Sequence, residues 1–366
     1  MTNLPKNAYL HGLRLIPEIS QINLELLLAK FNHDFKKAYH ATVSELVESG
    51  SSLQTAEIIA NKKAQLNLES EFTKLSNADI SIISYVDAQY PELLREISHQ
   101  PTLLYYRGNR LIKDELALAI VGTRKMSAYG KLVTETLTEP LAKYGLTIVS
   151  GLAFGIDAIA HQTTLDVGGR TIAVVGSGLL DSDIYPKTHL NLAHQIINSG
   201  GLLISEYSPG TPALKQHFIA RNRIIAGLSV GTLVIECPLR SGALITSKYA
   251  LEQNRNVYTI PHSLFTENSA GPHMLLKKGA QLVTEAEDIL IDLNIAISKQ
   301  TQVPQNFNDS ENAIINVLSI ESQTINQLAI HTNLEIQTIT AGLITLEMKE
   351  IVKRLDNQTY TIIKRK

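Results

Sequence analysis

Val149-Ser150-Gly151-Leu152-Ala153-Phe154-Gly155-Ile156-Asp157-Ala158-Ile159-Ala160-His161 is the stretch whose reading decides the fold. The apolar residues 146–149 read as a short buried strand. Residues 150–155 read as a turn with two glycines, and those from about 156 to 165 as a helix. The first amides of such a helix have no partner within it and sit at the positive end of its dipole. Glycine adds no Cβ to hold a guest away from that backbone. A phosphate suits the place; a tight turn that only packs helix on strand suits the same residues.

Outward from this unit the alternation is strict. Apolar strands are expected at 116–121, 146–149, 171–175, 202–204, 232–235 and 256–260, with helices at 127–144, 156–165, 187–198, 214–226 and 242–253. Near-continuous apolar strands between helices predict a parallel sheet covered on both faces, a doubly wound Rossmann-like α/β domain. Its ligands should lie beyond the carboxyl ends of the strands. Two further strands, 80–85 and 101–106, precede it, with a short helix opening at Tyr90-Pro91 between them.

The flanks differ in pattern. Residues 4–76 carry apolar side chains at helical spacing, such as Leu24, Leu27, Leu28 and Phe31, broken by Pro17 and Asn32-His33-Asp34. Gly12, just before Ile16-Pro17, hints at a helical hairpin that grips nucleic-acid backbone, with a plain helical cap as the alternative. Residues 292–309 read as a linker. Helices at 311–318, 324–331 and 335–349, then strands 351–355 and 360–363 around the turn Asp356-Asn357, make a winged helix-turn-helix. The domains are therefore expected at 1–76, 77–292 and 310–366, with 293–309 as the link.

The chain has 366 residues, is 44% hydrophobic and 19% charged, and holds one cysteine, Cys237. No internal disulfide or multi-cysteine metal site is possible. Its apolar runs are too short to span a bilayer, and its start has no uninterrupted signal-type segment, which points to the cytoplasm. The net charge is −2, and residues 107–292 balance 17 Lys+Arg against 16 Asp+Glu. Any nucleic-acid site is then a local groove of placed cations rather than a basic field. Trp is absent, so stacking falls to Tyr and Phe. The eleven histidines show no metal-ligand spacing.

Three other strand ends carry chemistry. The first strand ends in Gly122-Thr123-Arg124-Lys125, cations at the carboxyl edge. The third ends in Gly176-Ser177-Gly178, but Asp181 stands where a dinucleotide fingerprint needs Gly or Ala, so no NAD is read. After Glu206, Lys215, Phe218 and Arg221 recur every three residues and share a helical face. Cations beside an aromatic suit a single nucleic-acid strand, since charge follows the phosphates and the ring stacks a base. Alternatively Phe218 caps the core and Arg221 or Arg223 pairs with Glu206 or Glu236. Asp157 and His161, four apart, are either an acid–base pair or a helix-start carboxylate beside a packed histidine.

Together, Gly122-Thr123-Arg124, residues 150–157 with Ala160-His161, residues 171–178 with Tyr185-Pro186, Ser205-Glu206-Tyr207, residues 221–229 and residues 241–246 resemble the DNA-processing DprA (Smf) family, over about residues 87–288. The flanking modules also resemble that family's, a small SAM/HhH-like helical domain and a winged helix. The resemblance implies a non-enzymatic cytoplasmic homodimer, without cofactor or metal. It would bind incoming single-stranded DNA, protect it and load RecA during natural transformation, beside the single-strand-binding protein. Carried over by position, the DNA site would use Arg124, Ser150, Gly151, Gly155, Lys215, Phe218, Arg221, Asn222 and Arg223. The chain departs from the family at His262, His273 and Ile219, where glycine, asparagine and proline are usual. Two rival functions fit parts of the chain. A phosphoribohydrolase-type nucleotide enzyme is echoed by Gly231-Thr232 and Glu236, although Leu228-Ser229-Val230 replaces its Pro-Gly-Gly. A winged-helix transcriptional regulator would sense a ligand with its α/β domain.

Overall fold

The computed structural model of the protein describes residues 4–109, 116–295, 307–349, 351–355 and 359–362. They fall into two compact units, Met1–Ile297 and Ser298–Lys366.

The first unit opens with six helices: α1 (Lys6–Arg14), α2 (Gln21–Lys30), α3 (Phe35–Tyr39), α4 (Val43–Glu48), α5 (Leu53–Gln65) and α6 (Leu68–Asn77). Polar caps start most of them. Ser20, Asp34, Ser52 and Asn67 each accept from an amide of the first turn, and Thr42 and Glu45 form a capping box. Their apolar faces are not a separate core. Leu10, Leu13, Leu24, Leu28 and Phe35 pack in one cluster with Leu103, Tyr105, Ala173 and Leu203 of the sheet. His11 is buried there, its Nδ1 2.8 Å from the Tyr105 hydroxyl. Gly12 is buried too, and a Cβ on it would fall less than 3.0 Å from Leu68 and the Tyr39 ring. It is therefore a close-packing glycine between helices rather than a grip on nucleic-acid backbone.

The sheet follows: β1 (Ser81–Ser84), α7 (Glu92–Arg95), β2 (Leu103–Gly108), β3 (Ala117–Val121), α8 (Ala128–Lys143), β4 (Thr147–Ser150), α9 (Ile156–Asp166), β5 (Thr171–Val174), α10 (Leu190–Asn198), β6 (Leu202–Ser205), α11 (Lys215–Gly227), β7 (Gly231–Val234), α12 (Gly242–Glu252), β8 (Asn256–Thr259), α13 (Ala270–Lys277), β9 (Gln281–Leu282) and α14 (Ala286–Asp292). The spatial order is β1-β2-β6-β5-β4-β3-β7-β8-β9. From β3 the chain steps one way through β4, β5 and β6, then returns to the other side of β3 as β7, β8 and β9, all parallel. This is the doubly wound arrangement, with its switch between β3 and β7.

The sheet is not parallel throughout. Strands β1 and β2 pair antiparallel, and β2 runs antiparallel to β6. Burial sets the apolar pattern, and burial does not encode strand direction, so this edge was invisible in the alternation. Residues 270–292, unassigned from sequence, supply α13, β9 and α14. The core strands β3 to β7 are buried at every position, which explains their near-continuous apolar runs.

The second unit contains α15 (Asp309–Ile320), β10 (Gln323–Thr324), α16 (Ile325–Thr332), α17 (Ile336–Met348), β11 (Val352–Arg354) and β12 (Thr359–Ile362), with β12 between β10 and β11. Ile314, Leu318, Leu328, Ile339, Leu343, Leu346 and Val352 form its core. This is a winged helix. Helix α17 holds no Lys or Arg and exposes Ile336, Ile344 and Met348. Most of the expected linker, and the turn Asp356-Asn357, lie outside the described residues. Among the described residues, no helix is long and apolar enough to cross a membrane.

Candidate functional site

The carboxyl ends of β3, β4 and β5 meet at one rim. There the loop after β3 and the start of α9 are knitted together by missing side chains. A Cβ on Gly122 would meet Ile156, and one on Gly155 would fall less than 3.0 Å from the Thr123 carbonyl oxygen. Gly155 has φ +77°, a conformation that favours glycine. The Ile156 amide donates to that same carbonyl at 3.3 Å. Arg124 is thereby held at the edge, exposed, with its guanidinium carbon 5.3 Å from the centroid of the Phe218 ring.

Phe218 reaches this point because α11 comes in close. A Cβ on Gly176 would sit only 3.0 Å from the Phe218 Cδ1. Gly176 thus has a packing role. Lys215 begins α11 one turn before Phe218 and is exposed. Two aromatics that sequence reasoning did not select join the rim. Tyr185 is 46% exposed, its ring 5.7 Å from that of Phe218; Phe154 is 42% exposed and edge-on to His189 at 5.0 Å. An aromatic inside a strand-end turn, Phe154, was the available signal.

The other expected site residues face inward. The Ser150 hydroxyl is buried and donates to the Ile120 carbonyl at 2.7 Å. Gly151 has no room for a Cβ because the Arg221 guanidinium and the Asp157 carboxylate lie against it. Its amide donates to Asp157 at 3.1 Å, and the Ala153 amide also bonds that carboxylate. The anion in the turn is thus the chain's own side chain, and these two amides are not presented to a phosphate. Burial pushes the Asp157 carboxyl above its usual range, against the pull of Arg221 and of these amides.

Arg221 is only 4% exposed. Its guanidinium donates to the carbonyls of Gly151 and Val174, and its Nε to Asn222 Oδ1 at 3.1 Å. Burial lowers it to about 10, so it stays charged at neutral pH. Its guanidinium carbon lies 5.9 Å from the Phe218 ring centroid, on the buried side of the platform. Asn222 is buried and donates to the Gly242 carbonyl at 3.1 Å. Arg223 pairs with Glu206 at 2.6 Å. Arg221 and Arg223 therefore hold α11 to the rim of the sheet and Asn222 holds it to α12; the expected pairing with a glutamate is found for Arg223 with Glu206 and not for Arg221. Charge pattern alone could not separate Arg221 from Arg124.

Asp157 and His161 are not an acid–base pair. The Thr171 hydroxyl donates to the Ile148 carbonyl and so accepts from His161 Nδ1, 2.7 Å away. His161 is wholly buried, and desolvation brings it to about 3. It is neutral at physiological pH. Glu236, the echo of an enzyme site, is 1% exposed and accepts from the amide and hydroxyl of Ser127, the cap of α8, at 2.6 and 2.8 Å. No cluster of three or more metal-ligating side chains occurs among the described residues.

The rim therefore joins two exposed cations and a half-buried aromatic on a rigid mount. A family model described as DNA recombination-mediator protein A matches residues 81–294. The chain belongs to this family. A second model, the DprA winged helix domain, matches residues 298–358. Protein Smf of Escherichia coli is 38% identical over 279 residues, 76% of this chain and 74% of that protein. DNA processing protein DprA of Streptococcus pneumoniae is 44% identical over 226 residues, 62% of this chain and 77% of that protein. The X-ray structure of the Streptococcus pneumoniae DNA processing protein A superposes with a TM-score of 0.68 at 36% identity, covering 78% of this chain and 97% of that one. A structure of the Helicobacter pylori protein, described for its single-stranded DNA binding mode, gives a TM-score of 0.53 at 30% identity, covering 60% and 97%. Membership in the DprA family thus rests on both the sheet domain and the winged helix.

Proposed function

We propose that this DprA-family chain binds single-stranded DNA along the carboxyl-side rim of its sheet and acts as a recombination mediator. The observation that carries the reading is the juxtaposition of Arg124 over Phe218, with Lys215 one helical turn away. Arg124 and Lys215 meet phosphates; the Phe218 ring stacks a base. Gly155 contributes by letting the Arg124 loop close on α9, and Arg221 by fixing α11 beneath the ring. The relative described for single-stranded DNA binding supports the same substrate.

From the family resemblance we extend the role to protecting incoming DNA and loading RecA in transformation, beside the single-strand-binding protein. In this reading the chain works in the cytoplasm as a homodimer without catalysis. The cation-free α17 favours a protein contact over reading of duplex DNA. Filter binding of an oligothymidylate by Arg124→Ala and Lys215→Ala tests the site. Each should weaken binding, and unchanged affinity in both would overturn the reading.

A further inference from the structure

The switch between β3 and β7 opens a second concavity, on the other side of the β3 loop from Phe218. It encloses about 800 Å³ and is lined by Thr123, Lys125, Tyr129, Glu236, His262 and Asn268, among others. This is the size of a small-ligand site, in the place where doubly wound sheets bind ligands. Consecutive residues divide the loop. Arg124 stands over Phe218, while Lys125 lines the crevice.

The crevice wall is aromatic and fixed. Tyr129 and His262 meet edge to face, centroids 5.2 Å apart at 71°. The Tyr129 hydroxyl donates to the Pro261 carbonyl at 2.9 Å, and His262 Nε2 bonds the Ile235 carbonyl at 2.8 Å. His273 Nε2 in turn lies 3.1 Å from the His262 carbonyl oxygen, which ties the loop to α13. Asn268 holds the floor by donating to the Lys125 carbonyl at 3.1 Å. His262 and His273 are two of the three departures from the family pattern, and here His273 braces the loop that carries His262.

Charge selects the ligand. Lys125 is cationic, whereas Glu236 and Glu267 put carboxylates on the same lining. The interior therefore does not favour a phosphate. A neutral, flat, polar ring fits between the aromatic wall and the hydrogen-bonding side chains, with an attached phosphate left outside at Lys125. We propose that the switch-point crevice is a second nucleotide site, in which a base stacks on the Tyr129 ring that His262 props edge-on, and Lys125 meets its phosphate. The nucleotide is either the next unit of a bound strand or a free mononucleotide. The strand source rests on the single-strand reading above; the chemistry of the crevice does not.

The test uses the full chain and two probes, deoxyadenosine monophosphate and oligothymidylates of increasing length, with the variants Tyr129→Ala, His262→Gly and Tyr129→Phe. Truncating the wall should weaken the occupant about tenfold, the scale of one lost base stack. Tyr129→Phe, which keeps the ring, should bind nearly as wild type. If the mononucleotide binds and both truncations weaken it, the site takes free nucleotide. If it does not bind, but the truncations weaken long oligomers and spare short ones, the site takes a strand. Unchanged binding of both probes in folded His262→Gly overturns the proposal, even if Tyr129→Ala does not fold. The single-strand reading fails separately, through unchanged oligomer binding in Arg124→Ala and Lys215→Ala.

Discussion

The Arg124 guanidinium stands 5.3 Å from the centre of the Phe218 ring, and Arg221 faces the same ring from within at 5.9 Å. One cation is exposed and the other is buried. The two should therefore respond differently to mutation and salt. Arg124→Ala is expected to weaken single-strand binding and to flatten its salt dependence by about one phosphate contact. Phe218→Ala is expected to lower affinity by about 1–3 kcal/mol while leaving the salt slope in place. Fluorescence anisotropy across a salt series distinguishes them, and equal slopes in wild type and Arg124→Ala would remove that arginine from the phosphate path.

Gly155→Ala should destabilise the fold more than Gly168→Ala. Both glycines have positive φ, +77° and +69°, so both substitutions carry backbone strain. Only the first also drives a Cβ into the Thr123 carbonyl, whereas nothing lies within 4 Å of the second. Strain alone costs about 1–3 kcal/mol, and the collision adds to it. Equal melting temperatures for the two variants would refute the close approach of the two loops.

Arg221→Met removes the charge partner of a buried carboxylate. Losing one side of such a pair costs about 3–5 kcal/mol, because burial already disfavours the charge on Asp157 and the Gly151 and Val174 carbonyls lose their donor as well. Adding Asp157→Asn should recover part of the loss, since the amide needs no counter-charge. Chemical denaturation of the single and double variants measures the coupling. Additive losses would mean that the two side chains do not act on each other.

Two buried histidines predict loss of stability in mild acid. Burial lowers His11 to about 4 and His161 to about 3, both below the unfolded value of 6.5. The unfolded chain therefore takes up protons that the folded chain refuses. Stability contributed by neutral histidine is fully present above pH 6.5 and falls as pH drops toward those lower values. At pH 5 the loss is about 2 kcal/mol for each histidine. Thermal melts between pH 7.5 and 5 should show it, and His161→Gln should flatten the curve.

Removing residues 307–366 should leave single-strand binding in place. The winged helix is a separate compact unit, and the cations assigned to the strand lie in the other. Complete loss of DNA binding in the truncated chain would instead favour the regulator reading.

The local elements were legible where burial is uniform. Strands such as 117–121 and 231–234 are covered on both faces and read as near-continuous apolar runs. Gly155 was legible too, as a turn glycine before a helix. The direction of β2 and the two-residue, exposed β9 were not, because neither leaves a period in the residues. Among the candidate residues, Arg124, Lys215 and Phe218 could be chosen from charge and spacing. Arg221, Asn222 and Arg223 carry the same kind of signal, yet their partners, Gly151, Gly242 and Glu206, lie 17 to 70 positions away.

The sequence by itself determined the doubly wound core, the winged helix and the presence of cations at strand ends, because apolar period and turn chemistry are local properties. Only the tertiary structure decided which cations face solvent, that Asp157 fills the turn expected to cradle a phosphate, and that His262 and Tyr129 meet in one wall of a crevice. Those outcomes depend on which distant backbone a side chain meets, and packing fixes that only once the sheet has closed.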